Sequence, residues 1–512
     1  MSSAKALMFL GTGSDVGKSV LAAAFCRIFK NEGYRVAPFK AQNMALNSFI
    51  TPQNGEMGRA QVVQAEAAGI EPHVDMNPIL LKPTSQMGSQ VIVLGSVVGN
   101  FSAKQYYEYK KELVPVVHDA FERLSAKNDI IVIEGAGSAV ELNLKEHDLV
   151  NMAMAEMADA KCILVGDIDR GGIFASLLGS ISLLQPAERA RIIGFIVNKL
   201  RGDPRLFEDG VQILQSRSGV PVFGVVPYFD DISLPEEDSV ALGRRMIRPE
   251  PGGVPGLIRI GVVRLPFISN YTDFDPFEMD PKVELVYFDR PAQIFGFDAV
   301  IIPGSKNTIE DLAAMRKSGM ADALSAFHKS GGAVVGLCGG YQMMGTVVRD
   351  PHAIESSLGT ISGLGLLDME TEMYPEKITS QVEARVISES LPFAGGGGEL
   401  AGYEIHMGRS ASGGEAKPIF RIMRREGKPA DVEDGLSQPD GRAWGTYIHG
   451  IFDNDGFRNK FIEDIGKRSG KSAPAPGPFS FRPWKEEQYD RLAELVRKHV
   501  DVGRVLDILF KG

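Results

Sequence analysis

Cysteine is scarce in this chain: three residues in 512, at Cys26, Cys162 and Cys338, with no paired spacing. That usage argues against a disulfide framework or a cysteine-built zinc site, and it fits a reducing cytoplasm. Basic charge is also in deficit, with 55 Lys and Arg against 65 Asp and Glu and a formal net charge of −10. An acidic chain is poorly suited to nucleic acid or an anionic membrane as its main partner. No uninterrupted apolar run is long enough to span a bilayer. The short apolar stretch near the N-terminus is consumed by the loop that follows it, so no secretory leader is expected. Repeats are lacking too, which leaves solenoid and propeller architectures without support.

What is present is an ordinary globular composition, 44% hydrophobic and 23% charged, over a length that exceeds one domain. Short apolar strands alternate with helical patterns, which predicts parallel sheets wrapped by helices. In the first half the expected strands are 6–10, 36–39, 130–134, 161–167, 192–198 and 222–226, with a helical pattern over 101–124. A run rich in Pro and Gly ends near 257, and new strands follow at 258–263, 283–287, 299–302 and 333–337. Segments 395–398 and 470–478 are loops by composition, and 484–510 is helical. The expected organisation is therefore α/β with two doubly wound parallel-sheet domains, 1–245 and 258–460. A linker at 246–257 joins them, and a largely helical tail at 461–512 follows. Composition leaves homo-oligomerisation open.

The N-terminal strand runs into Gly11-Thr12-Gly13-Ser14-Asp15-Val16-Gly17-Lys18-Ser19, and a helical pattern follows at once. Backbone amides of such a loop cradle phosphates, the lysine neutralises them, and the serine hydroxyl is a ligand for Mg²⁺. Thr12 stands where the usual loop has its first glycine, flanked by Gly11 and Gly13. Strand, loop, Gly-Lys-Ser and helix in this order predict an ATP site made from Gly11, Thr12, Gly13, Val16, Gly17, Lys18 and Ser19. The buried strand at 130–134 ends in Glu134 and then Gly135-Ala136-Gly137. Ligands of doubly wound sheets sit at the carboxyl ends of strands, so Glu134 is expected beside the phosphate loop as a second Mg²⁺ ligand. Solvation at a strand end is the plainer alternative. Asn198 ends another strand, where an amide can pair with a purine edge; taken alone that signal is weak.

The second half carries Gly336-Leu337-Cys338-Gly339-Gly340-Tyr341-Gln342. A buried strand ending at a glycine-flanked cysteine, with a helical pattern after it, is the layout of a nucleophile elbow. Most lone cysteines are small core residues; the flanking glycines make that reading the weaker one here. His449, in Tyr447-Ile448-His449-Gly450, follows an apolar strand and is the candidate base. The turn after strand 299–302 is expected to give an oxyanion hole from the backbone of Gly304 together with that of Gly339.

The phosphate loop together with Glu134-Gly135-Ala136-Gly137 resembles dethiobiotin-synthetase-like amidating enzymes, which pass the γ-phosphate of ATP to a carboxylate. Phe39-Lys40-Ala41-Gln42-Asn43-Met44, Asn77-Pro78-Ile79-Leu80-Leu81-Lys82-Pro83, Glu141-Leu142-Asn143-Leu144, Asp148-Leu149-Val150-Asn151-Met152 and Asp167-Ile168-Asp169-Arg170-Gly171-Gly172 narrow the likeness. They are similar to the glutamine-dependent corrinoid amidating synthetases, in order and along nearly the whole chain. That resemblance implies ATP with Mg²⁺, L-glutamine as nitrogen donor and a corrinoid carboxylate as acceptor. It offers Gln42, Asn43, Asn143, Asp148 and Asp169 as residues facing the corrinoid or the reacting carboxylate, with Asp148 foremost. For each alone a structural role is about as good an account.

The second half resembles the triad-type glutamine amidotransferases. Many of these carry a glutamate two residues after the histidine, where this chain has Ile451. The corrinoid enzymes lack it too, so a Cys–His pair without a glutamate third member is expected. Glu404 and His406 are also reminiscent of the family, and a structural contact accounts for His406 as well as a catalytic one. Two other readings stay open: another corrinoid amidase, such as one acting on the a and c carboxylates, and a partitioning-type ATPase. The latter leaves Cys338, His449 and the whole second half without a role.

Overall fold

The computed structural model describes residues 4–83, 88–235, 254–391, 398–471 and 479–511. Residues 246–253 of the expected linker, and most of the loops at 395–398 and 470–478, lie outside them. The chain forms two compact units.

The first unit is built on a wholly parallel sheet of β1 (Lys5–Gly11), β2 (Val36–Phe39), β3 (Ile130–Glu134), β4 (Lys161–Asp167), β5 (Ile192–Leu200) and β6 (Val222–Pro227). The strand order is β6-β5-β4-β1-β3-β2. All six expected strands are present. Their near-continuous apolar runs suit a sheet covered on both faces: every residue of β3, and all but the first of β1 and β4, is buried. Parallel register aligns the strand ends, with Phe9 opposite Glu134, Gly11 opposite Val165 and Asp167 opposite Asn198. The carboxyl ends of β1, β3, β4 and β5 thus converge on one edge of the unit.

The expected helix at 101–124 is divided. Phe101 ends a strand, Ser96–Ser102, of a small four-stranded sheet that also holds Gln42–Met44, Ile79–Pro83 and Gly88–Val93. Ser102 then caps the helix Ala103–Tyr109 in a reciprocal box with Gln105. Pro115, which lacks an N–H, sits in the first turn of a separate helix, Val114–Ser125.

The C-terminal residues are not a tail. Helices Phe481–His499 and Val502–Lys511 bury Tyr489, Leu492, Val496, Val505 and Leu509 in the same core as Phe25 and Phe29 of the helix Lys18–Asn31. Buried Arg27 fixes the register by donating to Asp490 at 2.7 and 2.8 Å and to Glu486 at 2.8 Å. Residues 483–512 therefore complete the first unit, an outcome that local periodicity could not reveal because the packing partner lies more than 450 residues away.

The second unit has a parallel core of β7 (Ile258–Val263), β8 (Val283–Phe288), β9 (Ala299–Ile302), β10 (Ala333–Leu337) and a strand at Ala443–Thr446, in the order β8-β7-β9-β10 and then 443–446. Antiparallel strands extend it, the longest being β11 (Met369–Val386) and β12 (Leu400–Ser412). Helix Asp455–Arg468 belongs here, because Phe457, Phe461, Ile462 and Ile465 pack with Trp444. The unit therefore runs past the expected boundary at 460. It also takes in segment 46–55: Asn47 accepts from the Tyr271 amide at 3.0 Å, and Tyr403 donates to the Ser48 carbonyl at 3.4 Å.

Candidate active sites

In the first unit the loop after β1 wraps the side chain of Lys18, whose ammonium donates to the carbonyls of Gly13 at 2.8 Å and Gly137 at 2.9 Å. Gly17 adopts φ 100°, and a Cβ there would stand 2.1 Å from Asn198 Nδ2. Only glycine meets both conditions. Asn198, offered by sequence as a purine contact, donates to the Val16 carbonyl at 2.9 Å and so braces the loop.

Ser19 Oγ donates to Glu134 Oε1 at 2.8 Å, which brings together the two residues expected to hold the metal. A hydroxyl and a carboxylate oxygen so close, beside a phosphate loop, form a hard-oxygen pair suited to Mg²⁺. Glu134 also receives Lys40 Nζ at 2.8 Å on Oε1 and Gln64 Nε2 at 2.5 Å on Oε2. Burial pushes its carboxyl up, but the Lys40 charge and the hydrogen bonds from Lys40, Ser19 and Gln64 outweigh this and hold it below the ordinary range. Lys40 and Gln64 were missed as parts of this site. Lys40 lay in view inside the motif Phe39–Met44, but nothing local tied it to a carboxylate 94 residues on.

A cavity of about 550 Å³ opens beside this edge. Gln42, Tyr106, Lys110, Gly137, Leu142 and Asp148 are among its walls. Tyr106 donates to Gln42 Oε1 at 2.6 Å, which fixes the orientation of the amide. Burial lowers the Lys110 pKa, partly offset by the charge of Asp148. The other candidates fare differently. Asp148 lines the cavity, yet its oxygens accept the amides of Val150, Asn151 and Ala153 at 2.9–3.0 Å, so its carboxylate is engaged in starting the next helix. Asn43 is buried and donates to Gln61 at 3.0 Å. Asn143 lies on a short 3-10 turn, and Asp169 pairs with Arg201 at 2.7 Å; neither lines the cavity.

In the second unit Cys338 ends β10 at φ 49°, ψ −110° and caps the five-residue helix Gly339–Met343. A non-glycine residue held at positive φ is the strained turn of a nucleophile elbow. The elbow nests against the end of β9. A Cβ on Gly340 would lie 2.0 Å from the Ile302 carbonyl, and one on Gly339 2.9 Å from the Ser305 amide. Gly304 faces the histidine, 3.4 Å from His449 Cε1 by the same construction. The two glycines offered for the oxyanion hole thus sit at the elbow and at the base, respectively.

His449 is buried on the two-residue strand Ile448–His449, which pairs with β12. Tyr403 stacks on its ring at 5.3 Å between centroids. The expected Cys–His pair without a glutamate has a different acidic neighbour. No glutamate follows the histidine, but His449 Nδ1 lies 2.6 Å from Oδ2 of buried Asp273. Asp273 Oδ1 accepts the Gly450 amide at 2.9 Å. Sequence gave no signal for Asp273, which is 176 residues from the histidine on an unrelated turn. Burial would lower the His449 pKa, but the negative charges of Asp273 and Cys338 raise it to about 10. His406 is structural: Nδ1 bonds the Gly408 carbonyl at 2.8 Å and the ring stacks on Tyr447 at 3.8 Å.

Comparison with known proteins finds one family in each half of the chain. Residues 7–241 match the family described as the CobQ/CobB/MinD/ParA nucleotide binding domain. Residues 259–457 match the CobB/CobQ-like glutamine amidotransferase domain. Over its length the chain is similar to the cobyric acid synthase of Syntrophobacter fumaroxidans, 71% identical with 99% of each chain covered. It is 49% identical to the cobyric acid synthase of Desulfitobacterium hafniense, covering 98% of this chain and 96% of that one.

Proposed function

Because the chain belongs to the cobyric acid synthase family, we propose that it amidates the b, d, e and g side-chain carboxylates of adenosylcobyrinic acid a,c-diamide to give adenosylcobyric acid. Nitrogen comes from L-glutamine at Cys338, and ATP activates each carboxylate. The observation that carries the acceptor half is the position of Gly137. Its carbonyl holds the Lys18 ammonium at 2.9 Å, and the same residue walls the 550 Å³ cavity. A corrinoid carboxylate lodged in that cavity would lie next to the phosphate-handling lysine.

Activation is chemically necessary, since a carboxylate resists nucleophiles and oxide is a poor leaving group. Transfer of the γ-phosphoryl group forms an acyl phosphate; ammonia then adds to the carbonyl and inorganic phosphate leaves. The protein's part is positioning and charge neutralisation. Lys18 supplies positive charge to the transferring group, and the loop amides hold the remaining phosphates. Ser19 and Glu134 are the residues that would hold Mg²⁺, which when bound offsets the charge of the phosphate oxygens. Gln42, fixed by Tyr106, and Lys110 are suited to an amide and a carboxylate on the corrinoid rim.

In the other half the Cys338 thiolate attacks the glutamine side-chain carbonyl, and imidazolium Nε2–H of His449 protonates the departing nitrogen. The C–N bond breaks and ammonia leaves a thioester. Water then adds, giving its proton back to Nε2, and the C–S bond breaks to return the thiolate and glutamic acid. Three unpaired thiols and the formal net charge of −10 are in keeping with a cytoplasmic enzyme.

Mass spectrometry of the corrinoid after incubation with ATP, Mg²⁺ and glutamine tests this reading. Successive hydroxyl-for-amino exchanges on the a,c-diamide are expected. Turnover only of a corrinoid with free a and c carboxylates would replace it with the other amidase reading.

A further inference from the structure

We infer that Asp273 is a positioning residue of the glutaminase centre, acting through His449 as the third member of a Cys338–His449–Asp273 triad. The inference rests on the reading of Cys338 and His449 as the glutamine-hydrolysing pair. It assigns a role that sequence spacing hides, since the acid comes from the turn Tyr271–Phe274 and not from the strand that carries the histidine.

The geometry is specific. A carboxylate can only accept, so an oxygen 2.6 Å from Nδ1 obliges that nitrogen to carry the hydrogen. The Gly450 amide at 2.9 Å takes the other oxygen and prevents the carboxylate from rotating away. Tyr403 covers one face of the ring, and a Cβ on Gly304 would stand 3.4 Å from Cε1. With Nδ1 so occupied, buried Nε2 is the ring nitrogen left for Cys338, whose side chain interacts with the imidazole. It is the nitrogen available to exchange a proton with the nucleophile and the leaving group. Asp273 and His449 are 4% and 1% exposed at their side chains, so the pair acts with little screening by water.

The charged and titratable groups bearing on the imidazole are Asp273 from its own turn, Cys338 from the elbow and Tyr403 from β12. Removing the Asp273 charge should make the imidazolium easier to deprotonate. The falling limb of the glutaminase pH profile should then move to lower pH.

The experiment compares full-length wild type with Asp273→Asn, which is close to isosteric. Two curves are recorded: kcat/KM for glutamine against pH, and the rate of Cys338 alkylation by iodoacetamide against pH, read by peptide mass spectrometry. We expect kcat/KM at neutral pH to fall about 100-fold, the falling limb to drop by about one pH unit or more, and the alkylation curve to depart from that of wild type. External ammonium should restore amidation by the same variant. In a His449→Ala background, adding Asp273→Asn should leave the alkylation curve where His449→Ala alone puts it. An Asp273→Asn variant whose two pH curves superimpose on wild type, whatever its rate, overturns the positioning role. So does a further shift in the His449→Ala background. If Cys338→Ala and His449→Ala retain glutamine hydrolysis, it is the underlying glutaminase reading that has failed.

Discussion

Lys40 Nζ stands 2.8 Å from Glu134 Oε1, and both side chains are almost wholly withdrawn from solvent. The contact sets an ammonium beside the carboxylate that sequence marks as a metal ligand. A cation entering next to Ser19 would have to share or displace that ammonium, so the site is held in a charge-balanced state by its own lysine. Such a pair contributes little net stability when intact, but removing one partner leaves an uncompensated buried charge.

Glu134→Gln tests the two roles together. The amide keeps the shape and can still accept from Ser19, but it cannot balance Lys40 or bind Mg²⁺ well. We expect the Mg²⁺ concentration for half-maximal amidation to rise roughly tenfold or more, with a loss of stability on the order of 3 kcal/mol. Titration of turnover with Mg²⁺, beside a denaturant melt, reads both. An unchanged metal requirement would return Glu134 to a purely structural role.

Lys110 offers a probe of the acceptor site that leaves the phosphate loop alone. Its stem is partly buried in the cavity wall, and burial is the main influence lowering its pKa. A desolvated ammonium gains most from a carboxylate ligand. Lys110→Met should raise KM for the corrinoid roughly 10- to 100-fold, the range of a lost charged hydrogen bond, with a much smaller change in kcat. Steady-state kinetics with corrinoid varied at saturating ATP and glutamine would show it. Loss confined to kcat would argue that Lys110 does not bind substrate.

The first sheet was legible because its strands are unbroken apolar runs punctuated by a phosphate loop and by Glu134. Parallel register then forces Gly11, Glu134 and Asn198 to one edge. The elbow was legible for a local reason as well: a Cβ on Gly339 or Gly340 would stand only 2.9 or 2.0 Å from the neighbouring backbone. What escaped was whatever depends on contacts distant in sequence. Asp273 meets His449, Lys40 meets Glu134, and helix 481–499 meets Arg27, each across a separation that no periodicity encodes. Asp148 lines the cavity but spends its oxygens on the amides of Val150, Asn151 and Ala153, an engagement that the motif does not display in sequence.

Asp311 gives the second unit a pH-sensitive point beside Ser305. It accepts from Ser305 Oγ at 2.6 Å and from the Phe267 amide at 3.1 Å. Burial pushes its carboxyl up to about 7, against the lowering effect of those two hydrogen bonds. A folded-state pKa above the unfolded value means the contribution is full below about pH 4 and is lost as pH rises through about 7. Stability of this unit should fall between about pH 4 and 7, by a few kcal/mol at most. Asp311→Asn should flatten that dependence. Thermal melts of both proteins across the interval check the sign; a slope unaltered by the substitution would remove Asp311 from the account.

The division of labour between the two sites gives the sharpest test. Cys338→Ser places a hydroxyl next to the same imidazole, and at neutral pH it is a far poorer nucleophile than the thiolate it replaces. Glutamine-dependent amidation should fall by about 10³-fold or more. His449→Ala should do the same, because the imidazole serves only the glutamine reaction. Neither change touches the phosphate loop, so high ammonium at mildly alkaline pH, where free ammonia is abundant, should restore corrinoid amidation in both. Lys18→Ala should behave in the opposite way. Its ammonium spans Gly13 and Gly137, whereas the nearby Lys40 and Lys199 are paired with Glu134 and Asp167. Amidation should then be lost with either nitrogen source, while glutamine hydrolysis remains measurable. Mass spectrometry of the corrinoid together with a glutamate assay on each variant separates the outcomes. Efficient use of glutamine by Cys338→Ser, or ammonium rescue of Lys18→Ala, would break the assignment of nitrogen release to one site and carboxylate activation to the other.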